Sequence, residues 1–181
     1  TNIWNIKIQK EQDKFTMTQN SPIFWEIEKD IDKISRLLNI KNSNIWNYPI
    51  QTVSTWTPKL IIPIDWLKTL FDIKPDFKWI KIYCKEKWCK WFYPFCFETI
   101  EKSSDIHARQ FNPLAGINED PITWIAAWAL WAYLQKYKIM NKNKYIIEQW
   151  YIMNKMWIIY VDTSSGIKIS WNAIAYWERE F

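Results

Sequence analysis

Most of the chain alternates apolar and polar positions in short stretches, and one segment interrupts this with a long run of small and aromatic residues. Residues 3–8 and 14–19 alternate with the period of two that sends side chains to opposite faces of a strand. They predict a β-hairpin turned through residues 9–13. Residues 31–38 follow Asp30 with apolar positions at 31, 34, 37 and 38, the spacing of a short helix behind an N-cap. Strands are predicted at 50–53 and 59–63 around a turn at 54–58, then a helix over 65–71 and strands over 79–84 and 91–98. A strand over 106–111 leads into a loop at 112–119. The main helix is predicted over 121–138, with Pro121 suited to its first turn. Strands at 144–149, 157–162, 166–170 and 173–177 close the chain. This is a mixed α+β pattern, rich in antiparallel strands, with one long helix of small residues.

That helix raises the question of composition. The segment from Thr123 to Leu134 places Trp124, Trp128 and Trp131 at i, i+4 and i+7 among alanines. A helix so rich in small residues is closely surrounded, and three indoles on one face overpack such a site. The whole chain has 15 tryptophans and 2 glycines. Glycine is ordinarily ~7% of residues, about 13 in a chain of this length. Several other tryptophans, including Trp46, Trp56, Trp157 and Trp171, stand in stretches that read as turns or strand ends, where glycine is favoured. The expectation is that UGA codons meaning glycine have been read as tryptophan.

Other bulk properties narrow the class without naming a function. No apolar run approaches the ~20 residues of a membrane helix, so no membrane partner is expected. The first residues lack an initiator Met and the basic and apolar regions of a signal peptide, which reads as a chain beginning inside a longer protein. Cys84, Cys89 and Cys96 fit no zinc spacing, and His107 is the single histidine. They read as reduced structural thiols of a cytoplasmic protein, with no metal. The net charge is +5, but lysines are spread along the chain among acidic residues, which is weak evidence for nucleic acid. Abundant lysine, asparagine and isoleucine reflect an A+T-rich gene more than a function.

Chemistry concentrates between Arg109 and Ala126. Glu119 and Asp120 stand immediately before the main helix, which then opens through Pro121, Thr123, Trp124 and Ile125. A helix N-terminus offers backbone N–H groups and the positive end of a dipole, and a glycine at 124 would let a ligand carboxylate approach them closely. An aspartate there can orient a ligand amine or hydroxyl. It can equally act as a plain helix cap.

With glycine restored, Arg109, Phe111, Pro113, Gly116, Glu119, Asp120, Pro121, Thr123 and position 124 read R-x-F-x-P-x-x-G-x-x-E-D-P-x-T-G. This resembles the second half-site motif of the PhzF-like (phenazine biosynthesis-like) isomerases. Ser54 to Leu60 resembles that family's S-T-G-x-P-x-L, and Phe92 to Thr99, Glu148-Gln149-Trp150 and the stretch from Trp157 to Ala173 fit as well. The resemblance implies a diaminopimelate-epimerase-like α+β fold: two pseudo-symmetric halves, each a curled mixed or antiparallel sheet around a central helix, with the site between them. Residues 1–27 would be a hairpin remnant of the first domain, most of which is absent. Residues 28–181 would be the second domain, with the last strand crossing back to the first.

By the same resemblance, Asp120 is the pocket aspartate, and Glu119, Thr123, Trp124, Ile125, Thr55 and Trp56 line the substrate. The reaction is an acid/base proton shift on a small acidic molecule, without cofactor or metal. Homodimers are common in such families. The family often has serine where Ile125 stands, which leaves the substrate open. The general acid/base glutamate and a Cys-Gly-His segment belong to the first half, so this chain is expected to be inactive alone. Thr123 stands where related racemases carry a cysteine, which argues against a two-cysteine mechanism. A competing reading is a non-catalytic protein: a degenerate isomerase fold, or a surface on which Trp79 to Trp91, interleaved with lysines, stacks nucleic-acid bases.

Peptide masses across residues 110–136 of protein from the native host are expected to show glycine at 124, 128 and 131. Tryptophan masses there, or UGG codons in the gene, refute the reassignment.

Overall fold

The computed structural model describes residues 8–11, 14–18, 21–121, 123–140, 142–149, 157–163 and 168–172. The first third of the chain forms β1 (Ile8–Glu11), β2 (Lys14–Thr18), β3 (Ile23–Glu28), α1 (Ile31–Leu38), β4 (Ile50–Ser54) and β5 (Lys59–Pro63). The middle forms α2 (Leu67–Asp72), α3 (Phe77–Glu86), β6 (Trp91–Cys96), β7 (Ile106–Ala108), β8 (Phe111–Asn112) and β9 (Ile117–Glu119). The chain continues through α4 (Trp124–Lys136), β10 (Lys144–Gln149), β11 (Trp157–Asp162) and β12 (Lys168–Asn172). The strands make one mixed sheet in the order β1-β2-β12-β11-β10-β7-β6-β5-β4-β3, with β8 and β9 attached beside β6. The class is the α+β one expected, and the described strands do not close into a barrel.

The sheet separates two cores. On one face α4 packs with Val53, Ile61, Tyr93, Phe95 and Ile147. On the other, α1 and α3 pack with Leu60, Ile62, Phe92 and Phe111. Strand alternation makes this division, since Leu60 and Ile61 are neighbours that face opposite cores. The parallel pair β5 and β6 needs a long crossover, which α2 and α3 supply. Glu98 Oε2 accepts from the Leu67 N–H at 2.8 Å and caps the start of α2.

Local signals explain most boundaries. Asp30 Oδ1 accepts from the Lys33 N–H at 2.9 Å, and Asn39 leaves α1 at φ 54°. The hairpin of β1 and β2 forms, with Glu11 opposite Lys14, so residues 9–11 belong to the strand and not to the turn. The strand expected over 106–111 is interrupted at Arg109 and Gln110, whose side chains make the tertiary bonds described below. Helix α4 begins at Trp124 with Thr123 as N-cap, leaving Pro121 outside it. The strand expected at 166–170 lies at Lys168–Asn172, and the one expected at 173–177 lies outside the described residues.

One element is of the other type. Residues 79–84 were expected as a strand but lie in α3. Tertiary packing overrides the strand propensity of its β-branched and aromatic residues: Asp76 Oδ1 caps the Trp79 N–H at 3.1 Å, and the buried positions are Ile80, Tyr83 and Cys84, at helical spacing. The competing reading's strand of interleaved Trp and Lys is therefore not formed over residues 79–84.

The three cysteines are buried and unbridged. Burial pushes the Cys96 thiol up to about 12. Cys96, His107 and Glu148 stand side by side on β6, β7 and β10 in cross-strand register. His107 Nδ1 and Glu148 Oε1 are 2.7 Å apart and both side chains are wholly buried. Glu148 also accepts from the N–H groups of Ile100 and Glu101, at 2.6 and 3.1 Å, which ties the loop after β6 to the sheet. Burial pushes the Glu148 carboxyl up, but these hydrogen bonds and His107 outweigh it and hold the carboxyl below its usual range.

Removing one partner of a buried pair leaves the other uncompensated, so Glu148→Gln is expected to cost about 3–5 kcal/mol in a denaturant melt. Because the folded-state carboxyl is lowered, its contribution is fully present above the unfolded carboxyl range. It is lost as pH falls through the lowered folded value. The stability gap between the native chain and Glu148→Gln should therefore shrink on acidification and stay constant near neutrality.

Candidate active site

Asp120 is held by three hydrogen bonds to two residues where β9 gives way to α4. Its N–H donates to the Gln110 carbonyl at 3.0 Å. Its Oδ2 accepts from Gln110 Nε2 at 3.1 Å, and its carbonyl accepts from Gln149 Nε2 at 2.9 Å. Gln149 Oε1 accepts in turn from the Tyr93 hydroxyl at 3.2 Å. Burial pushes the Tyr93 phenol up, and the nearby Asp120 carboxylate adds to it, so Tyr93 stays a neutral donor. Gln110 and Gln149 are wholly buried and Asp120 is half-buried.

Helix α4 opens without a side-chain cap. Thr123 occupies the N-cap in extended backbone, φ −146° and ψ 108°, and its hydroxyl makes no capping bond although the residue is buried. The helix runs antiparallel to β4. Its last turn reaches the start of that strand, where the Tyr133 hydroxyl donates to the Pro49 carbonyl at 2.7 Å and Lys136 Nζ donates to Gln51 Oε1 at 3.0 Å. Its first turn meets the other end, where Thr55 Oγ1 donates to the Ile125 carbonyl at 3.5 Å. Thr55, which shares the β4–β5 turn with Trp56, is thus brought to the first turn of α4, the turn that Thr123, Trp124 and Ile125 open.

Glu119 lies differently from its neighbour. Both of its carboxylate oxygens accept from Arg109, at 2.8 Å each. Arg109 also donates to the carbonyls of Leu70 and Ile73, at 2.8 and 3.2 Å, and its guanidinium lies 4.8 Å from the Phe111 ring centre. This bidentate pair locks the motif strand to the end of α2. His107, the single histidine of the sequence, lies on β7 in the buried pair with Glu148.

Gln149, Gln110 and Tyr93 were not singled out from sequence. Each lay inside a stretch carrying the resemblance, yet a residue that orients an aspartate has no spacing of its own to read. Two cavities, of about 440 and 360 Å³, open along β3 and are lined by residues such as Trp25, Glu28, Tyr83 and Tyr48. Neither is lined by Asp120, Thr123 or Thr55. Among the described residues no group of three or more His, Cys, Asp or Glu is placed to hold a metal, and no helix is long and apolar enough to cross a membrane.

The family model of the phenazine biosynthesis-like proteins matches residues 2–173. The chain belongs to that family. It is 34% identical over 191 aligned positions to an uncharacterized isomerase of Clostridium acetobutylicum, covering 97% of this chain and 63% of that one. It is 31% identical to an uncharacterized isomerase of Bacillus subtilis, covering 80% of this chain and 50% of that one. Among solved structures, a phenazine biosynthesis protein of the PhzF family from Bacillus anthracis superimposes with TM-score 0.75 at 22% identity, covering 91% of this chain and 60% of that one. A predicted epimerase from Pseudomonas aeruginosa gives TM-score 0.72 at 16% identity, covering 92% and 58%. The chain spans less than two thirds of the length of these relatives.

In this phenazine biosynthesis-like chain, Arg109→Met is expected to cost about 3–5 kcal/mol in chemical denaturation, because it strands the Glu119 carboxylate and two buried carbonyls. A loss below about 1 kcal/mol would mean that solvent replaces the pair at no cost.

Proposed function

We propose that this chain supplies the second half-site of a cofactor-independent isomerase that shifts a proton within a small carboxylate-bearing metabolite. The observation that carries this is the fixing of Asp120 by Gln110 and Gln149 beside an α4 N-terminus without a side-chain cap. A carboxylate so oriented can accept from a substrate amine or hydroxyl, while the helix start favours the substrate's negative end. The names of the Clostridium and Bacillus relatives support an isomerase. A proton shift needs a base to take a hydrogen from carbon and an acid to return one. The resemblance gives that task to a glutamate of the first half, outside the positions matched to Asp120 and Thr123. Asp120 then orients the substrate.

We further propose that tryptophans of this chain stand for glycine in the native protein. Trp88 is the observation that favours it. It follows α3 at φ 56° and is 80% exposed, a left-handed position where glycine relieves strain and an indole gains no burial. On α4, Trp128 is wholly buried and stacks on Trp131 at 4.5 Å, while the buried Trp131 Nε1 meets no acceptor among the described residues. Trp46 and Trp56 do not take positive φ, so the turn argument rests on Trp88.

The 181-residue chain alone is expected to show no turnover, and the protein extended to the length of its relatives to exchange one substrate carbon-bound hydrogen for deuterium in heavy water. In the extended protein Asp120→Asn should lower kcat/KM about 10²–10⁴-fold. Full activity of that variant would remove Asp120 from the site.

A further inference from the structure

Lys59 is wholly buried, and neither the core nor the site above accounts for its charge. Its Nζ donates to the Thr57 carbonyl at 2.6 Å and lies 4.4 Å from the centre of the Trp91 ring. Among the described residues no carboxylate comes within ion-pair distance of it. An ammonium has three donors, so one carbonyl leaves most of its capacity unused. Burial without a counter-charge holds its pKa well below the usual lysine range. Buried charges are ordinarily paired, and a lone one calls for a partner.

Strand register places this lysine. Lys59 stands opposite Val53 on β4 and Trp91 on β6. Two residues further along these strands, Ile61 and Tyr93 lie in the core that packs against α4. By the period of two, Lys59 lies on the α4 face of the sheet. The helix runs antiparallel to β4, with its last turn at Pro49 and its first turn at Thr55. Lys59, at the start of β5, therefore sits at the end of the sheet where α4 begins. That is the end where Thr55, Thr123 and Ile125 meet.

We infer that Lys59 is a specificity-determining residue of this half-site, the cation that receives a carboxylate of the substrate. The inference rests on the half-site reading above for the substrate class. A carboxylate at the start of α4 would meet the helix dipole and the Lys59 ammonium together, and would supply the missing counter-charge. An amide or ester in its place could not. If Lys59 merely braces the β4–β5 turn through Thr57, its charge is irrelevant to ligand.

Malonate, a small dicarboxylate, is titrated calorimetrically into the chain and into Lys59→Met. Each is made both as sequenced and with glycine at 124, 128 and 131. Lys59→Met removes a buried charge while keeping shape, so a melting temperature at or above that of the parent shows that it folds. The expected result is malonate binding weakened about tenfold or more by Lys59→Met, the size of one charged hydrogen bond. Equal affinity overturns the inference and leaves the half-site standing. Binding by none of the four proteins overturns both. Should Lys59→Met fail to fold, Lys59→Arg identifies the lysine 13Cε resonance of Lys59 by its absence. A shift of that resonance at malonate saturation supports the inference, and an unmoved resonance overturns it.

Discussion

A helix that is apolar on every side has to be enclosed, and α4 sets the terms for this fold. From Ala126 to Leu134 every residue of it is buried except the half-buried Trp131. Alanine spacing lets the sheet approach its axis, and hydroxyls and an ammonium at its last turns fasten it to the start of β4. With that end fixed, the direction of the helix decides which sheet edge receives its N-terminus. The helix start is thereby delivered to the β4–β5 turn, and before it Asp120 is held by Gln110, between β7 and β8, and by Gln149 of β10.

The same strands carry two kinds of polar group on their two faces. On β10, Glu148 points to the face covered by α2 and pairs with His107, whereas Gln149 points to the α4 face and holds Asp120. Adjacent residues of one short motif therefore have separate tasks, one anchoring a loop and one orienting the site, because successive side chains of a strand point opposite ways. Glu119 and Asp120 divide in the same manner, with Glu119 bound by Arg109 and Asp120 by Gln110. Each charged group among these has a charged or amide partner, whereas Lys59 is buried with only the Thr57 carbonyl and the Trp91 ring beside it.

Much of this fold was legible along the chain. The helix at 31–38 and the strand at 157–162 follow from periodicity, since period and burial coincide there, whereas the strands at 59–63 and 144–149 follow from short apolar runs and the helix at 124–136 from its long run of small residues. Residues 79–84 misled because a short run rich in β-branched and aromatic residues fits a strand, and only the cap at Asp76 and the packing of Ile80 and Tyr83 decide for α3. Of the candidate site, Asp120, Thr123 and Thr55 were legible because the resemblance carries them in compact motifs. Tyr93, Gln110, Gln149 and Lys59 were not, since each acts through neighbours distant in sequence.

The amino-acid sequence by itself determined the α+β class, the family motifs, and an excess of tryptophan over glycine. These depend on local spacing and residue chemistry. Only the tertiary structure decided which residues hold Asp120, that Glu119 is bound by Arg109, and that a lysine without a counter-charge lies at the start of α4. Those facts depend on strand register and helix direction, which arise from packing between segments far apart in the chain and leave no mark on any one of them.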